Sequence, residues 1–116
     1  MPRYAVLKTN TDFRTLYYRG HAQVHPAMIT YTRRTRRRDE QGRPLIRMGI
    51  TTGKKVGSAV KRSRCRRIIR AAYAALYPEL HGSADIVFVA RARMLSMKST
   101  ELVPIMRRQF KEAGLL

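Results

Sequence analysis

The sequence predicts a single α+β domain, an α/β sandwich whose elements run in the order α-β-β-α-β-α. One observation is a set of apolar residues that recur at helical spacing, namely Cys65, Ile68, Ile69, Ala72, Tyr73 and Leu76. A second is the continuous apolar run 86–90, whose β-branched and aromatic residues are typical of a strand covered on both faces. A chain of 116 residues with 44% apolar residues can build one modest core, which favours one domain over two.

The first helix and the first strand are predicted before residue 33. The helix runs from about Asp12 to Arg19, capped by Thr11 or Asp12 and ended by Gly20. A strand follows from Val24 to Thr32, and Pro26 places its beginning at a sheet edge or an irregularity. Side chains alternate along a strand, so one face is expected to carry Met28, Thr30 and Thr32. The other face is expected to carry Ile29 and Tyr31.

A basic segment, 33–44, then leads to the second strand. It has no apolar residue and ends in glycine and proline, so we expect a flexible hairpin connection that adds positive charge outside the core. The second strand runs from Leu45 to Thr52 and is broken at Gly53.

The longest helix is predicted from Gly57 or Ser58 to Tyr77, because Pro78 is a stop signal beyond its end. The run 86–90 is the expected central strand. A last helix, 99–113, presents a stripe made of Leu102, Met106 and Phe110. Pro104 is awkward in this helix, because outside the first turn a proline removes a backbone hydrogen bond.

Positive charge dominates the sequence, with a formal net charge of +18 at pH 7. Residues 54–70 hold eight cationic side chains, and no acidic residue occurs between Glu40 and Glu79. Such a surplus repels itself in a compact domain and is best neutralised by a polyanion. Nucleic acid is therefore the expected partner, and an anionic membrane surface is the alternative.

The arginines of the long helix are expected on the side opposite its apolar arc, and only Lys61 falls near that arc. A helix anchored by its apolar side would hold planar guanidinium groups in a fixed geometry that suits bidentate contact with phosphate oxygens. These arginines are Arg62, Arg64, Arg66, Arg67 and Arg70.

Residues 54–60 read Lys-Lys-Val-Gly-Ser-Ala-Val, and residues 62–67 read Arg-Ser-Arg-Cys-Arg-Arg, with a further arginine at Arg70. By this motif the chain resembles the protein subunit of bacterial ribonuclease P, the ribonucleoprotein that removes the 5′ leader from precursor tRNA. The family's motif is a Lys-Lys-x-Gly-x-Ala-Val lead-in followed by Arg-Asn-Arg-x-Arg/Lys-Arg and a further Arg. Ser63 stands where the family has Asn; it keeps a small polar side chain but lacks the paired donor and acceptor of the amide. The resemblance covers nearly the whole chain.

Two weaker matches precede this motif. Residues 12–17 with Gly20 are similar to the family's first helix, and residues 29–31 are similar to its first strand. The resemblance implies a left-handed β-α-β crossover around the long helix. It also implies a cleft for the single-stranded 5′ leader between the first helix and the sheet.

The residues that match the lining of this cleft are Phe13, Tyr17, Ile29 and Tyr31. Aromatic surfaces in a basic groove suit single strands, because bases of any sequence can stack on them. Without the resemblance, Phe13 and Tyr17 could equally be an i, i+4 pair in the core. Tyr31 is the aromatic that we most expect at an accessible surface, since its phenol needs a polar partner or water.

By the same resemblance, the basic side of the long helix and the lysines before it dock on the catalytic RNA. The residues implied are Lys54, Lys55, Arg62, Ser63, Arg64, Arg66, Arg67 and Arg70. The implied partners are ribonuclease P RNA and precursor tRNA, with no protein partner required. The implied cofactor is Mg²⁺, bound mainly by the RNA and the substrate.

No catalytic centre of a protein nuclease can be recognised in the sequence. A two-metal site needs clustered carboxylates and an acid-base ribonuclease needs paired histidines, but the seven acidic residues are scattered. His21 and His25 lie four residues apart and His81 stands apart from them, so we expect surface or loop histidines. The resemblance assigns catalysis to the RNA and gives the protein no catalytic residue.

The single cysteine, Cys65, lies on the apolar arc, and we expect a buried and unreactive side chain. One cysteine excludes an intramolecular disulfide, which fits a reducing compartment. The segment Met1–Lys8 lacks the apolar run of a signal peptide, and no eighteen apolar residues follow one another. We therefore expect a cytoplasmic protein that does not span a membrane.

The main alternative is a ribosomal or other structured-RNA-binding protein without a role in processing. The charge and the basic helix would fit that function equally well, but the ordered occurrence of the aromatic pair, the strand and the motif would not be explained. A DNA-binding helix-turn-helix protein is a poorer alternative, because the long helix has no short partner helix just before it.

Overall fold

The structure is a computed structural model that describes residues 5–116. The α-helices in this range are α1 (Asn10–Arg19), α2 (Ala59–Leu76) and α3 (Ser99–Glu112). The strands are β1 (Ala5–Val6), β2 (His21–His25), β3 (Met28–Arg34), β4 (Ile46–Thr52) and β5 (Ala84–Ala90). Short 3₁₀ turns lie at Lys54–Val56, Tyr77–Glu79 and Ala92–Ser96. The first half of the segment Met1–Lys8, where no signal peptide is expected, lies outside the described residues.

The strands form one mixed sheet in the order β1-β4-β5-β3-β2. β5 pairs with β4 in parallel and with β3 antiparallel, which confirms that the apolar run is the central strand. α2 connects the parallel neighbours β4 and β5, so this unit is the crossover to which the resemblance points. The observed architecture is the predicted α+β sandwich.

Helices cover both faces of the sheet and create two unequal cores. α2 and α3 pack on one face over a large cluster to which β5 contributes Ile86 and Phe88. α1 packs on the other face over a small cluster that contains Leu16 and Val87. Because side chains alternate along β5, the same strand supplies both cores.

The apolar arc of the long helix is buried as predicted. Its members, Cys65, Ile68, Ile69, Ala72, Tyr73 and Leu76, are each at most 7% exposed. The side chain of Ser58 accepts a hydrogen bond from the backbone N–H of Lys61 at 3.3 Å, and so caps the helix at the predicted position. The arc anchors α2 on the sheet and fixes which of its sides faces solvent.

The segment predicted as one strand from Val24 to Thr32 is instead two antiparallel strands, β2 and β3. Pro26 lies in the turn between them, and the Nδ1 atom of His25 accepts a hydrogen bond from the backbone N–H of Ala27 at 3.0 Å. The proline therefore marks a reversal of the chain next to the edge strand β2, which agrees with the predicted position at a sheet edge but not with one continuous strand. The predicted alternation within β3 is confirmed, with Met28, Thr30 and Thr32 buried and Ile29 and Tyr31 half-buried.

The start of α1 differs from the prediction, whereas the start of α3 agrees with it. The cap of α1 is Thr9 rather than Thr11 or Asp12; its hydroxyl accepts a hydrogen bond from the backbone N–H of Asp12 at 3.1 Å. α3 begins at Ser99 as predicted and keeps Pro104 in its interior. The proline is on the exposed side of α3, where its ring faces solvent rather than the core.

The basic segment 33–44 does not join neighbouring strands, because β5 lies between β3 and β4 in the sheet. Its first two residues belong to β3. Further on, Arg38 and Pro44 form an isolated antiparallel bridge, and the carboxylate of Asp39 accepts hydrogen bonds from the backbone N–H groups of Gln41 and Arg43, each at 2.9 Å. The hairpin is therefore local to the segment itself.

Within residues 5–116, no helix is both long and apolar enough to cross a membrane.

Candidate nucleic-acid interface

The lead-in to α2 presents two exposed lysines on a defined turn. Lys54 and Lys55 lie in a 3₁₀ turn that the buried side chain of Val56 anchors to the core. Gly57 follows with φ of 129°, a conformation that residues with a Cβ atom rarely adopt. The glycine of the motif thus allows the chain to change direction between the lysines and the cap of α2.

The arginines of α2 occupy the solvent side and both flanks of the helix. Arg64, Arg67 and Arg70 are exposed, as predicted, and Ser63 is exposed among them. Arg62 and Arg66 depart from the prediction, because both are half-buried, and the Nε atom of Arg62 is buried without a hydrogen-bond partner among the described residues. Arg62 is three residues before Cys65, and helical geometry therefore places it at the edge of the apolar arc.

Two guanidinium groups are oriented by hydrogen bonds to neighbouring elements. Arg66, which is half-buried, donates from Nη1 to the hydroxyl of Thr52 at 3.4 Å. On the other flank, Arg64 donates from Nε to the carbonyl oxygen of Leu95 at 3.2 Å. Such bonds leave other N–H groups of each fork available for phosphate oxygens.

The α2 arginines are not neutralised inside the protein. Among residues 5–116, the ion pairs involve Arg37, Arg43, Arg47, Arg107 and Arg108, and none involves an arginine of α2. The charge on this surface is therefore available to an external anion.

A second surface forms where α1 crosses the sheet. The rings of Tyr17 and Tyr31 meet edge to face, with centroids 5.1 Å apart and planes at 82°. The hydroxyl oxygens of Tyr17 and Thr51 are 2.7 Å apart and share a hydrogen bond that ties the helix to β4. The prediction that Tyr31 is the more accessible aromatic is wrong: Tyr17 is 39% exposed and Tyr31 is half-buried, because α1 covers the face of β3 that carries Tyr31.

A groove of about 510 Å³ opens beside this aromatic pair. Its lining includes two predicted leader-binding residues, Phe13 and Tyr17, and one residue of the basic motif, Arg66. The other lining residues are Asn10, Arg14, Ile50, Thr51 and Thr52. Arg66 therefore joins the groove to the basic side of α2, and the two predicted surfaces are continuous.

The remaining predicted cleft residues share the face of the sheet that α1 covers. Tyr31 packs with Phe13 around the small core, and Ile29 lies two residues away on the same face of β3. Phe13 is half-buried, so it serves the core and the groove at once. The structure brings Phe13, Tyr17 and Tyr31 together and places Ile29 farther along the same face.

Gly49 is a residue of this site that the sequence analysis missed. A Cβ atom at this position would lie 2.6 Å from Cζ of Phe13, so only glycine lets the ring rest on β4. A glycine inside a predicted strand often marks such a close approach, and this signal could have identified it. Asn10, Arg14 and Thr51 carry no comparable signal, because their place in the groove depends on how α1 crosses the sheet.

A largely buried charge network ties α1 to the sheet near the start of β4. Arg47 donates to both carboxylate oxygens of Asp85, at 2.9 and 2.7 Å, and reaches Asp12 of α1 at 3.4 Å. The hydrogen bonds and charge of Asp85, together with the nearby Asp12, raise the pKa of Arg47. This network engages two of the acidic side chains and fixes the helix that carries Phe13 and Tyr17.

Most of the other acidic side chains also have structural roles. Asp39 holds the loop turn, Glu79 and Glu112 pair with arginines, and Glu101 accepts from the backbone N–H of Lys98. Residues 5–116 contain no group of three or more His, Cys, Asp or Glu placed to hold a metal ion.

Cys65 is fully buried in the large core, as predicted. Burial raises the pKa of its thiol, and the positive charges of Arg64 and Arg66 oppose this only in part. The cysteine therefore packs as a small apolar side chain.

Comparison with known proteins shows the family to which the chain belongs. The family model described as Ribonuclease P matches residues 1–114. A ribonuclease P protein component from Clostridium beijerinckii is 34% identical over 94% of this chain and 88% of its own length. One from Bacillus cereus is 29% identical over 94% of this chain and 90% of its own length.

Solved structures show the same fold. The ribonuclease P protein of Staphylococcus aureus superposes with a TM-score of 0.78 at 25% identity, covering 97% of this chain and 98% of its own. The Thermotoga maritima protein superposes with a TM-score of 0.76 at 18% identity over 92% and 96% of the two chains. A ribonuclease P RNA is the partner that membership in this family implies. The chain therefore belongs to the ribonuclease P protein family and is the protein component of a tRNA-processing ribonucleoprotein.

Proposed function

We propose that this chain binds ribonuclease P RNA along the basic side of α2 and holds the 5′ leader of precursor tRNA in the groove beside α1. The observation that carries the proposal is the position of Arg66, which belongs to the basic motif and also lines the groove. A leader strand in the groove would therefore run directly towards the surface that faces the catalytic RNA.

The groove has the chemistry that a single strand of variable sequence requires. Exposed ring surface is available on Tyr17, and Arg14 and Arg66 supply positive charge at the edges. Stacking on an aromatic ring contributes about 1 to 3 kcal/mol per base and depends little on base identity. A processing subunit needs this tolerance, since leaders differ between tRNA precursors.

We further propose that the RNA carries the cleavage chemistry and that Mg²⁺ is held mainly by the RNA and its substrate. The proposal is supported by the described acidic side chains, which are nearly all engaged in caps, turns and ion pairs. The protein would contribute binding surface and positive charge, which lowers the repulsion between two RNA phosphate backbones. A buried single cysteine is compatible with the cytoplasmic setting that this role requires.

Reconstitution tests the proposal. The chain is mixed with a bacterial ribonuclease P RNA at low Mg²⁺, and cleavage of precursor tRNA is measured for the protein alone, the RNA alone and the mixture. We expect efficient cleavage only in the mixture, with no further protein required. Cleavage by the protein alone would contradict the assignment of catalysis to the RNA.

A second measurement tests the leader site. The holoenzyme should bind precursor tRNA more tightly than mature tRNA, and Tyr17→Ala should reduce this difference by about tenfold or more, since one base no longer has a ring to stack on. Tyr18→Ala is the matched control, because Tyr18 is adjacent, 88% exposed and outside the groove lining. Equal affinity for the two tRNAs in the wild type would favour a structured-RNA-binding protein without a processing role.

A further inference from the structure

A second basic surface lies away from the lysine turn that precedes α2, where the C-terminal end of β3 meets the start of β5. A cavity of about 400 Å³ is found there, and its lining includes Arg19, His21, Arg33 and Arg34. An adjoining groove of about 620 Å³ shares Arg33 and Arg34 and adds Arg36 and Arg37. We call these six residues, Arg19, His21, Arg33, Arg34, Arg36 and Arg37, the distal basic surface.

The strand register separates this surface from the start of α2. Thr52, which precedes the exposed lysines, pairs with Ala90 at one end of β5. Arg34 pairs with Ala84 at the other end of the same strand. At about 3.3 Å per residue, the two ends lie roughly 20 Å apart. The distal basic surface is therefore not an extension of the lysine turn.

The backbone that carries the distal arginines is held by hydrogen bonds. Thr35 donates its N–H to the carbonyl oxygen of Ser83 at 3.0 Å, and the Ser83 hydroxyl donates to the carbonyl oxygen of Arg37 at 2.6 Å. Arg34 donates from Nη2 to the carbonyl oxygen of Gly114 at the end of α3. These bonds fix the part of the basic segment next to β3, so its guanidinium groups need little further ordering to bind a ligand.

Little negative charge opposes the distal basic surface. In the described part of the chain, the carboxylate that reaches it is Asp85, whose Oδ2 lies 4.0 Å from Nε of Arg37. That carboxylate is already bound by Arg47 at 2.7 Å. Arg19, Arg33, Arg34 and Arg36 take part in no ion pair among residues 5–116.

We propose that the distal basic surface binds the phosphate backbone of an RNA segment different from the one on α2. Five arginines in two adjoining hollows exceed what a single phosphate group can use, which favours a polyanion over a small anionic ligand. The choice of RNA as that polyanion rests on the proposed function. The protein would then bridge two RNA segments, one on the lysine turn and the basic side of α2 and one on the distal basic surface.

Salt dependence of assembly tests this proposal on the full complex with ribonuclease P RNA and precursor tRNA. The distal variant is Arg33→Gln with Arg36→Gln, which leaves the anchoring Arg34 intact. The α2 variant is Arg67→Gln with Arg70→Gln, and the control is Arg91→Gln with Arg93→Gln, an exposed pair in neither surface. Each arginine that no longer neutralises a phosphate should lower the slope of log affinity against log salt by about 0.7 to 0.9.

We expect the distal and the α2 variants each to lower the slope by about 1.5, their combination to lower it by about 3, and the control to leave it unchanged. A wild-type slope in the distal variant, or an equal decrease in the control, would overturn the inference. A wild-type slope in the α2 variant alone would instead overturn the proposed function. If the distal double variant does not fold, the exposed Arg36→Gln alone should lower the slope by roughly half as much.

Mapping gives a second and independent readout. Because Cys65 is buried, a cysteine introduced by Arg36→Cys or Arg67→Cys can be labelled selectively with a tethered iron chelate that cleaves nearby RNA. We expect the two probes to cut different nucleotides in the assembled complex. No cutting from position 36, or cutting at the same nucleotides as from position 67, would contradict a separate RNA segment.

Discussion

Single residues in this protein carry structural roles that are easily mistaken for catalytic ones. Asp85 is a buried carboxylate on the central strand, yet both of its oxygens accept hydrogen bonds from Arg47. The side chain of Arg47 is itself only 18% exposed and also reaches Asp12. Removal of one partner would leave a desolvated charge without compensation.

We predict that Asp85→Asn lowers the free energy of unfolding by about 2 to 3 kcal/mol, a value at the low end for buried pairs because Arg47 is still partly solvated. Urea denaturation measures the change. Glu79→Gln is the control, since its pairing with Arg107 is at the surface and should matter much less. Similar decreases in the two variants would show that the buried network has no special role.

The burial of Cys65 affects both the pH dependence of stability and the rate at which the thiol can be labelled. Burial raises the pKa of its thiol, so the folded state prefers the protonated form. The protonated Cys65 thiol therefore contributes to the free energy of unfolding below the pKa of the thiol in the unfolded chain. This contribution is lost as pH rises through the pKa of the thiol in the folded protein. Labelling with a disulfide reagent at about pH 8, just below the ordinary thiol pKa, should be much slower in the folded protein than in guanidinium chloride. Equal rates would contradict the buried position.

Sequence reasoning succeeded at the residue scale where periodicity determines the environment. It placed Cys65 in the core correctly but put Arg62 on the solvent side, although a residue three positions before Cys65 lies on the edge of the same arc. Gly49 was missed although a glycine inside a predicted strand signals a close approach; only the partner in that approach, Phe13, could not be predicted, because it lies far away in the sequence and on another element. The functional assignments of the groove and motif residues remain predictions.

At the element scale, α2 shows how one helix can serve two purposes. Its apolar arc is buried against the sheet, and the remaining surface holds exposed arginines at fixed angles around the axis. The arc, the cap at Ser58 and the end near Tyr77 follow from local sequence, and all were predicted. The turn at Pro26 was not, because a proline near a strand end fits both an edge irregularity and a reversal of the chain.

α3 is joined to the sheet by a buried amide. Gln109 accepts a hydrogen bond from the hydroxyl of Thr30 at 2.6 Å and donates to the carbonyl oxygens of Gln23 and Met28 at 2.9 and 3.0 Å. Without the amide, the hydroxyl of Thr30 and the two carbonyl oxygens would be buried without this hydrogen-bond partner. This pairing of elements could not be predicted, since a glutamine on a helix is usually exposed.

We predict that Gln109→Leu lowers the free energy of unfolding by about 2 kcal/mol, because the Thr30 hydroxyl and two carbonyl oxygens no longer have their partner. The control is Met106→Leu, a nearly volume-conserving change one turn earlier in α3 that should cost less than about 1.5 kcal/mol. Thermal or urea unfolding compares the two variants. A Gln109→Leu protein as stable as the wild type would show that the amide is dispensable.

At the scale of the whole molecule, the sequence indicated the fold class but not the arrangement of strands. The order β1-β4-β5-β3-β2 places β5 between two strands that are consecutive in the chain, and no local pattern encodes this. The two-residue β1 is too short to show alternation. The groove depends on this arrangement, because α1, β4 and α2 each contribute residues to it. Family membership, predicted from the motif, is confirmed by the comparisons.

The formal net charge of the chain is +18, and the arginines of α2 take part in no ion pair among residues 5–116. We propose that the exposed side of α2 binds ribonuclease P RNA while its apolar side anchors the helix. The most direct test is the salt dependence of RNA affinity for Arg64→Gln, Arg67→Gln and Arg70→Gln combined, with circular dichroism to confirm folding. We predict that the slope of log affinity against log salt falls by about 2 to 3, because three phosphates are no longer neutralised. A folded variant with the wild-type slope would contradict the claim.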